Sequence, residues 1–360
     1  MQDFDAKSLV LQTDIEEIYE RLISTITKLS GKTVMITGAA GFLGRYFVSL
    51  FQHYNSIHFS NPINIIALDN HQTSPVLNKN DYRKQDSNIE WIYGDAELGA
   101  KLPDQTHYII HLAGIASPEH YQANPLKTLD VAVTATRSLL EKAKDTKSRF
   151  LFFSSSEVYG DPDKTALPTK ETYRGNVSSR GPRACYDESK RLGETLCWIY
   201  ETYYSVHASV VRPFNIYGPG MLPKDYRVMP NFANSLINDQ PIQVYGNGLQ
   251  TRTFCYISDA IVAFLLILIE GQSPDVYNVG NPEPEISILE LANFMSNFNS
   301  VPAEVKVIDY PTQYPIDDPS RRCPDIEKLH KEFKFIPEIS LEEGSRRFFK
   351  WAQEIYPKFK

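Results

Sequence analysis

The chain has 360 residues, a formal net charge of −7 and a hydrophobic fraction of 42%. That length exceeds a single small core and fits one large domain or two coupled ones, and an apolar content that includes 19 Phe and 21 Tyr excludes a disordered chain. The acidic balance speaks against nucleic acid or an anionic membrane as partner, yet small anionic ligands can still be held by a few placed arginines.

The first residues carry Asp3 and Asp5 and lack a basic stretch followed by an apolar one, so no signal peptide is expected. The longest apolar run, Ile261 to Ile269, is about half a membrane span. The reading is a soluble, cytoplasmic protein. Cys185, Cys197, Cys255 and Cys323 lie far apart, as reduced thiols do. His107 and His111 bracket a strand-like run, where i,i+4 spacing lacks the geometry for a shared metal, and no metal is expected.

Residues 10–29 place Leu11, Ile15, Ile18, Leu22, Ile23 and Ile26 at helical intervals, predicting an amphipathic N-terminal helix within an extension over 1–30. From residue 31 strands and helices alternate. Apolar runs at Thr33–Thr37, Ile63–Leu68, Ile89–Tyr93, Tyr108–Leu112, Phe150–Phe153 and Ala208–Val211 suit strands buried on both faces of a parallel sheet. Helices are expected between them, notably Pro125–Lys144 and Tyr186–Tyr204. The pattern predicts an α/β fold, a doubly wound parallel Rossmann sheet over 31–213. After Arg212 prolines and glycines break the alternation, which predicts a smaller α/β substrate lobe over 214–360. Residues 250–270 are expected to return to the first domain, through a helix over Ser258–Ile269.

The first strand runs into Gly38-Ala-Ala-Gly41-Phe42-Leu43-Gly44, a G-x-x-G-x-x-G turn opening a helix. Glycines there let backbone amides approach a pyrophosphate where the helix dipole favours it. The second strand ends at Asp69, placed to bind ribose hydroxyls, and an acid at that point selects NAD over NADP. Asp95 ends the third strand, positioned for the adenine amino group. Asn70, Leu112 and Ala113 complete the candidate cofactor set.

Tyr186 and Lys190 stand at i and i+4 on one helical face. A phenol is a poor base at neutral pH, and a neighbouring ammonium stabilises its phenolate. The spacing therefore suits removal of a hydroxyl proton coupled to hydride transfer. The serine run Ser154-Ser155-Ser156 precedes the pair.

These residues, in this order, resemble the extended short-chain dehydrogenase/reductase family of nucleotide-sugar epimerases, dehydratases and decarboxylases over roughly residues 31–345. Within it the chain is most similar to the UDP-glucuronate decarboxylases. The similarity is carried by Asn124–Leu129, Ser156-Glu-Val-Tyr-Gly-Asp-Pro162, Gly181-Pro-Arg-Ala-Cys-Tyr-Asp-Glu188, Gln250-Thr-Arg252 and Asp318-Pro-Ser-Arg-Arg-Cys-Pro-Asp325. The resemblance implies an NAD-dependent decarboxylation of UDP-glucuronate to UDP-xylose through a 4-keto sugar. Tyr186 would take the 4-hydroxyl proton, Ser155 would bond near that oxygen, and Lys190 would also hold the nicotinamide ribose. Glu157 and Arg252 would position the carboxylate and help bring a proton to C5. Ser156 stands where related dehydratases carry an acid, which counts against dehydration. Asn215, Arg227, Tyr245 and Arg322 are the substrate-lobe candidates, the arginines as partners for phosphate or ribose.

Two departures leave alternatives open. Ala132 replaces a family asparagine, and residues 177–180 differ beside the sugar pocket. A 4-epimerase, another nucleotide uronic acid as substrate, release of a 4-keto pentose, or an NAD-binding scaffold without turnover are the rivals. A homodimer across Pro125–Lys144 and Tyr186–Tyr204 is implied by the same resemblance.

Overall fold

The computed structural model describes residues 8–74, 87–101, 105–223, 225, 227–272, 274–310 and 319–357. Asp3, Asp5 and Asp318 lie outside the described residues. In chain order the first half comprises α1 (Leu9–Ile26), β1 (Thr33–Thr37), α2 (Phe42–Ile57), β2 (Asn64–Asp69), β3 (Ile89–Tyr93) and β4 (Tyr108–His111). It continues with α3 (Pro118–Ala123), α4 (Pro125–Asp130), α5 (Thr136–Thr146), β5 (Arg149–Phe153), α6 (Ala184–Tyr204) and β6 (Ala208–Pro213).

The second half comprises β7 (Ile216–Tyr217), α7 (Val228–Ile237), β8 (Ile242–Tyr245), β9 (Thr251–Arg252), β10 (Cys255–Tyr256), α8 (Ile257–Glu270) and β11 (Val276–Val279). Then follow β12 (Ile286–Ser287), α9 (Ile288–Ser296), β13 (Val305–Ile308), β14 (Arg321–Arg322), α10 (Glu327–Phe333) and α11 (Leu341–Ile355).

Seven strands form one parallel sheet in the order β11-β6-β5-β4-β1-β2-β3. Val34, Met35, Ile36, Ile109, Ile110 and Phe150 to Phe152 are buried whichever way they point, because helices cover both faces. The order reverses between β1 and β4, and ligand crevices of open α/β sheets form at the strand carboxyl ends at such a point. The chain is thus an α/β protein with a doubly wound sheet and a smaller, mostly C-terminal lobe. The seventh strand comes from the stretch assigned by sequence to that lobe. It is preceded by α8, whose buried apolar residues pack against the sheet on one side and α1 on the other.

The helix expected over Pro125–Lys144 is not continuous. A wider, π-wound turn at Val131–Ala135 separates α4 from α5. There the buried His111 ring sets Nε2 3.3 Å from the Val131 carbonyl oxygen and 3.1 Å from Thr136 Oγ1, while Nδ1 meets Thr37 Oγ1 at 2.7 Å. A side chain bonded into the helical ladder accounts for the extra residue in the turn.

In the lobe β8 pairs with β13, and β9 lies between β12 and β14. A reciprocal cap between Ser287 and Glu290 starts α9. The N-terminal helix is fastened by a buried carboxyl group. Asp14 accepts hydrogen bonds from Tyr46 and Tyr256, each at 2.8 Å, and lies 3.2 Å from Arg347. Burial pushes its carboxyl up to about 6 against the pull of those three partners. Among the described residues no helix is long and apolar enough to cross a membrane, and no cluster of His, Cys, Asp or Glu could hold a metal ion.

Candidate active site

Two adjoining cavities open at the carboxyl end of the sheet. The first, a cleft of about 740 Å³, is lined by Gly38, Gly41, Phe42, Leu43, Gly44, Asp69, Asn70, Asp95, Leu112 and Ala113. The turn between β1 and α2 builds its floor. Gly38 has φ +73°, and a Cβ on Gly44 would sit 2.2 Å from the Gly38 carbonyl oxygen, so only glycine lets the helix start so close to the strand end. Asp69 closes β2, accepting from the Ala40 amide at 2.9 Å and the His71 amide at 2.7 Å. Asn70 donates to the more exposed Asp95 at 2.6 Å. A glycine cradle against a helix N-terminus, with an acid at the next strand end, fits the pyrophosphate and ribose of a dinucleotide.

The second cavity, about 300 Å³, is lined by Tyr121, Glu157, Arg183, Tyr186, Asn215, Arg227, Tyr245, Arg252 and Arg322, among others. Ala116, Met221 and Arg227 border both spaces. Helix α6 delivers Tyr186 and Lys190 to this junction. Lys190 Nζ donates to the Phe153 carbonyl oxygen at 2.8 Å and lies 5.8 Å from the Tyr186 ring centroid. Burial pulls the ammonium down to about 8 and pushes the Tyr186 phenol up to about 12; a hydrogen bond with Ser155 opposes the second shift, and the charge of Glu157 adds to it. Ser155 Oγ also accepts the Glu157 amide at 3.3 Å, and Ser156 is buried beside it. The aromatic ring of Tyr121 stacks on Tyr186, with centroids 5.4 Å apart and planes 13° off parallel.

Glu157 carries the densest electrostatics. Its Oε2 is shared by Arg183 and, at 2.7 Å, by Arg322. Burial works to raise this carboxyl, but Arg322, Arg183 and Arg252 together hold it at about 2. Three guanidinium groups therefore face one carboxylate. The buried Nε of Arg322 has no hydrogen-bond partner among the described residues.

The substrate-lobe candidates divide. Arg322, considered by sequence for phosphate or ribose, donates to Glu157 at 2.7 Å, brought there by β14. Arg227 pairs with Asp225 through Nε at 2.9 Å and lies over the Phe42 ring at 5.5 Å, at the joint between the cavities. Asn215 donates its side-chain amide to the Thr253 carbonyl oxygen at 2.8 Å while lining the cavity. Arg252 donates to the Thr251 carbonyl oxygen at 2.8 Å, and the Tyr245 ring lies 6.4 Å from that of Tyr310.

Sequence reasoning passed over Tyr121, Arg183 and Asp187. The signal was there for two of them. Arg183 stands three residues before Tyr186 and one helical turn before Asp187, so all three share the first turns of one helix.

Sheet, glycine cradle and buried Tyr–Lys pair together define a nicotinamide-dependent α/β enzyme. The chain belongs to the NAD dependent epimerase/dehydratase family, whose model matches residues 34–280, and its cofactor is NAD. It is 38% identical over 311 residues to UDP-glucuronic acid decarboxylase 4 of Arabidopsis thaliana, covering 86% of this chain and 66% of that one, just under two thirds. Against UDP-glucuronic acid decarboxylase 6 of the same plant it is 35% identical, covering 88% of this chain and 87% of the relative. Among solved structures, an epimerase from Methanothermobacter thermautotrophicus superposes with a TM-score of 0.79 at 26% identity, over 93% of this chain and 96% of that one. A UDP-glucuronic acid 4-epimerase from Bacillus cereus, in complex with UDP-glucuronic acid and NAD, shares the fold with a TM-score of 0.74 at 23% identity, over 90% of this chain and 100% of that one.

Proposed function

We propose that the protein decarboxylates UDP-glucuronate to UDP-xylose. The observation that carries this reading is the arginine cluster around Glu157. An uncharged hexose needs no such excess of positive charge beside its ring, whereas a uronic acid carboxylate does. The unpaired Arg322 Nε is a donor waiting for an acceptor.

When bound, NAD supplies a reversible acceptor for the C4 hydride. Gly38, Gly41, Gly44 and Asp69 would hold its pyrophosphate and ribose, and Lys190 its nicotinamide ribose. Tyr186 would accept the 4-hydroxyl proton and later return it, with Ser155 bonded to the same oxygen. Arg183, Arg252 and Arg322 would orient the C6 carboxylate, which lies β to the C4 ketone once that is formed. CO2 then leaves with the electron pair delocalised onto the C4 oxygen. Ser156 offers no acid for expulsion of a hydroxyl, which disfavours dehydration. Arg227 and Tyr245 are assigned to the nucleotide end, Asn215 to the sugar-diphosphate. The two-domain division at residue 213, with α8 returning to the first domain, and a homodimer through Pro125–Lys144 (α4 and α5) and Tyr186–Tyr204 (α6) belong to the same reading. Exposed Leu126, Leu192, Trp198 and Tyr203 give those helices an apolar outer face.

The test is incubation of NAD-loaded protein with UDP-glucuronate, with products identified by mass. Release of CO2 with a UDP-pentose is expected. A C4-inverted uronic acid in its place would make the protein a 4-epimerase, and accumulating NADH with a 4-keto pentose would mean the product leaves before reduction.

A further inference from the structure

Asp187 occupies the first turns of α6, directly after Tyr186, and is buried. Its Oδ2 lies 3.6 Å from Arg183 Nε, and its Oδ1 is buried without a hydrogen-bond partner. A buried carboxylate ordinarily satisfies both oxygens. Here the nearest cation is already committed, because Arg183 also serves Glu157. Two carboxyl groups thus compete for one guanidinium, and Glu157 is also in direct contact with Arg322, which acts on Asp187 only at longer range.

We propose that Asp187 is a positioning residue that sets the charge available to the substrate's carboxylate: protonated, it leaves Arg183 to Glu157 and the ligand, and ionised, it draws Arg183 back and weakens uronate binding. The inference rests on the uronic acid reading of the cavity. With Asp187 neutral, Arg183, Arg252, Arg322 and Glu157 present two net positive charges; with it ionised the group presents one. Glu157 and Arg322 face Asp187 from the turn after β5 and from β14, Tyr121 from α3, and Arg183, Cys185 and Tyr186 from its own helix. Burial first, then the charge of Glu157, pushes the Asp187 carboxyl up to about 7, so the two states exchange near neutral pH. An arriving carboxylate adds a further negative charge and favours the protonated form. Binding therefore takes up a proton, and affinity falls as pH rises through that value.

The measurement, made with Tyr186→Phe in both proteins so that the uronate is bound and not consumed, is the affinity of NAD-loaded protein with Asp187 intact (wild type at that position) for UDP-glucuronate and for UDP-glucose, by calorimetry from about pH 6 to about pH 8.5. UDP-glucose shares the nucleotide and lacks the carboxylate, so it cancels effects of Lys190 and the phosphates. Wild-type preference for the uronate is expected to fall about tenfold across this range. Uptake of about 0.6 proton per uronate in excess of that for UDP-glucose, read from buffers of differing ionisation enthalpy, should accompany binding and be largest near about pH 7.6. Asp187→Asn should hold the low-pH preference throughout and take up no more proton with the uronate than with UDP-glucose. Should that variant fail to fold, the wild-type proton uptake decides alone. A pH-independent wild-type preference, or an unchanged fall in Asp187→Asn, overturns the role of Asp187 while leaving the uronate reading intact. Absence of any preference for the uronate at low pH overturns both.

Discussion

Replacing Tyr186 by Phe removes one oxygen from the centre of the site. The buried phenol is pushed up to about 12, so at neutral pH its ionised form is disfavoured by about five units, or about 7 kcal/mol. A bound cationic nicotinamide would lower that cost, and a positioned general base would contribute the typical factor of about 10²–10⁴. Structurally the substitution is mild. The loss is one hydrogen bond with Ser155, worth about 1 kcal/mol, and the ring keeps its stack on Tyr121. Tyr186→Phe should consequently keep its melting temperature within a few degrees and bind NAD as the wild type does. Its single-turnover release of CO2 from UDP-glucuronate should be slower by about 10²–10⁴-fold. A rate within about tenfold of wild type, in protein with intact NAD binding, would refute the assignment of Tyr186 as base.

Gly44→Ala forces a Cβ to within 2.2 Å of the Gly38 carbonyl oxygen, a backbone atom that cannot swing away; NAD affinity should drop at least about tenfold and stability by about 1–3 kcal/mol, read by fluorescence titration and urea unfolding. Lys190 is held near 8 by burial, so its ammonium is present below that value and lost above it. Turnover should decline above about pH 8, and Lys190→Met should be slow at every pH and lack that limb. Asp14 has a folded pKa of about 6, above its unfolded value near 3.8. Its contribution to stability is complete below the unfolded value and disappears as pH rises through 6, amounting to up to about 3 kcal/mol; urea unfolding of Asp14→Asn should show a shallower decline across that window than the wild type.

The sheet and cofactor cleft were legible because their signals are local. A strand, a glycine turn and an amphipathic helix follow one another within residues 33–57, and Asp69 ends the next strand. The Tyr–Lys pair was legible for the same reason, since helical spacing alone puts both on one face. The arginine cluster was not. Glu157 and Arg322 are 165 residues apart, and their meeting depends on β14 pairing with β9, which no periodicity announces. By residue type Arg322 suggests only a partner for phosphate or ribose, and Arg183 was passed over although it lies within Gly181–Glu188. The break in Pro125–Lys144 was equally invisible, because its cause is the ring of His111 on a neighbouring strand. Asp14 looked like one polar position on an amphipathic helix, and only the folded chain brings Tyr46, Tyr256 and Arg347 around it.

The electrostatics also constrain how a decarboxylation here would obtain its C5 proton. On the proposed reading Tyr186 would return the proton it takes, so the hydrogen that replaces CO2 would need another source. Glu157 had seemed, from sequence, suited to help deliver it. Held at about 2 by three guanidinium groups, it is ionised at neutral pH in the free site. Only a substrate carboxylate competing for the same arginines would loosen that hold, and departure of CO2 would restore it. Glu157 thus reads first as the group that orders Arg183 and Arg322 before the sugar arrives. Any part it has in proton delivery is confined to the interval in which the uronate is bound.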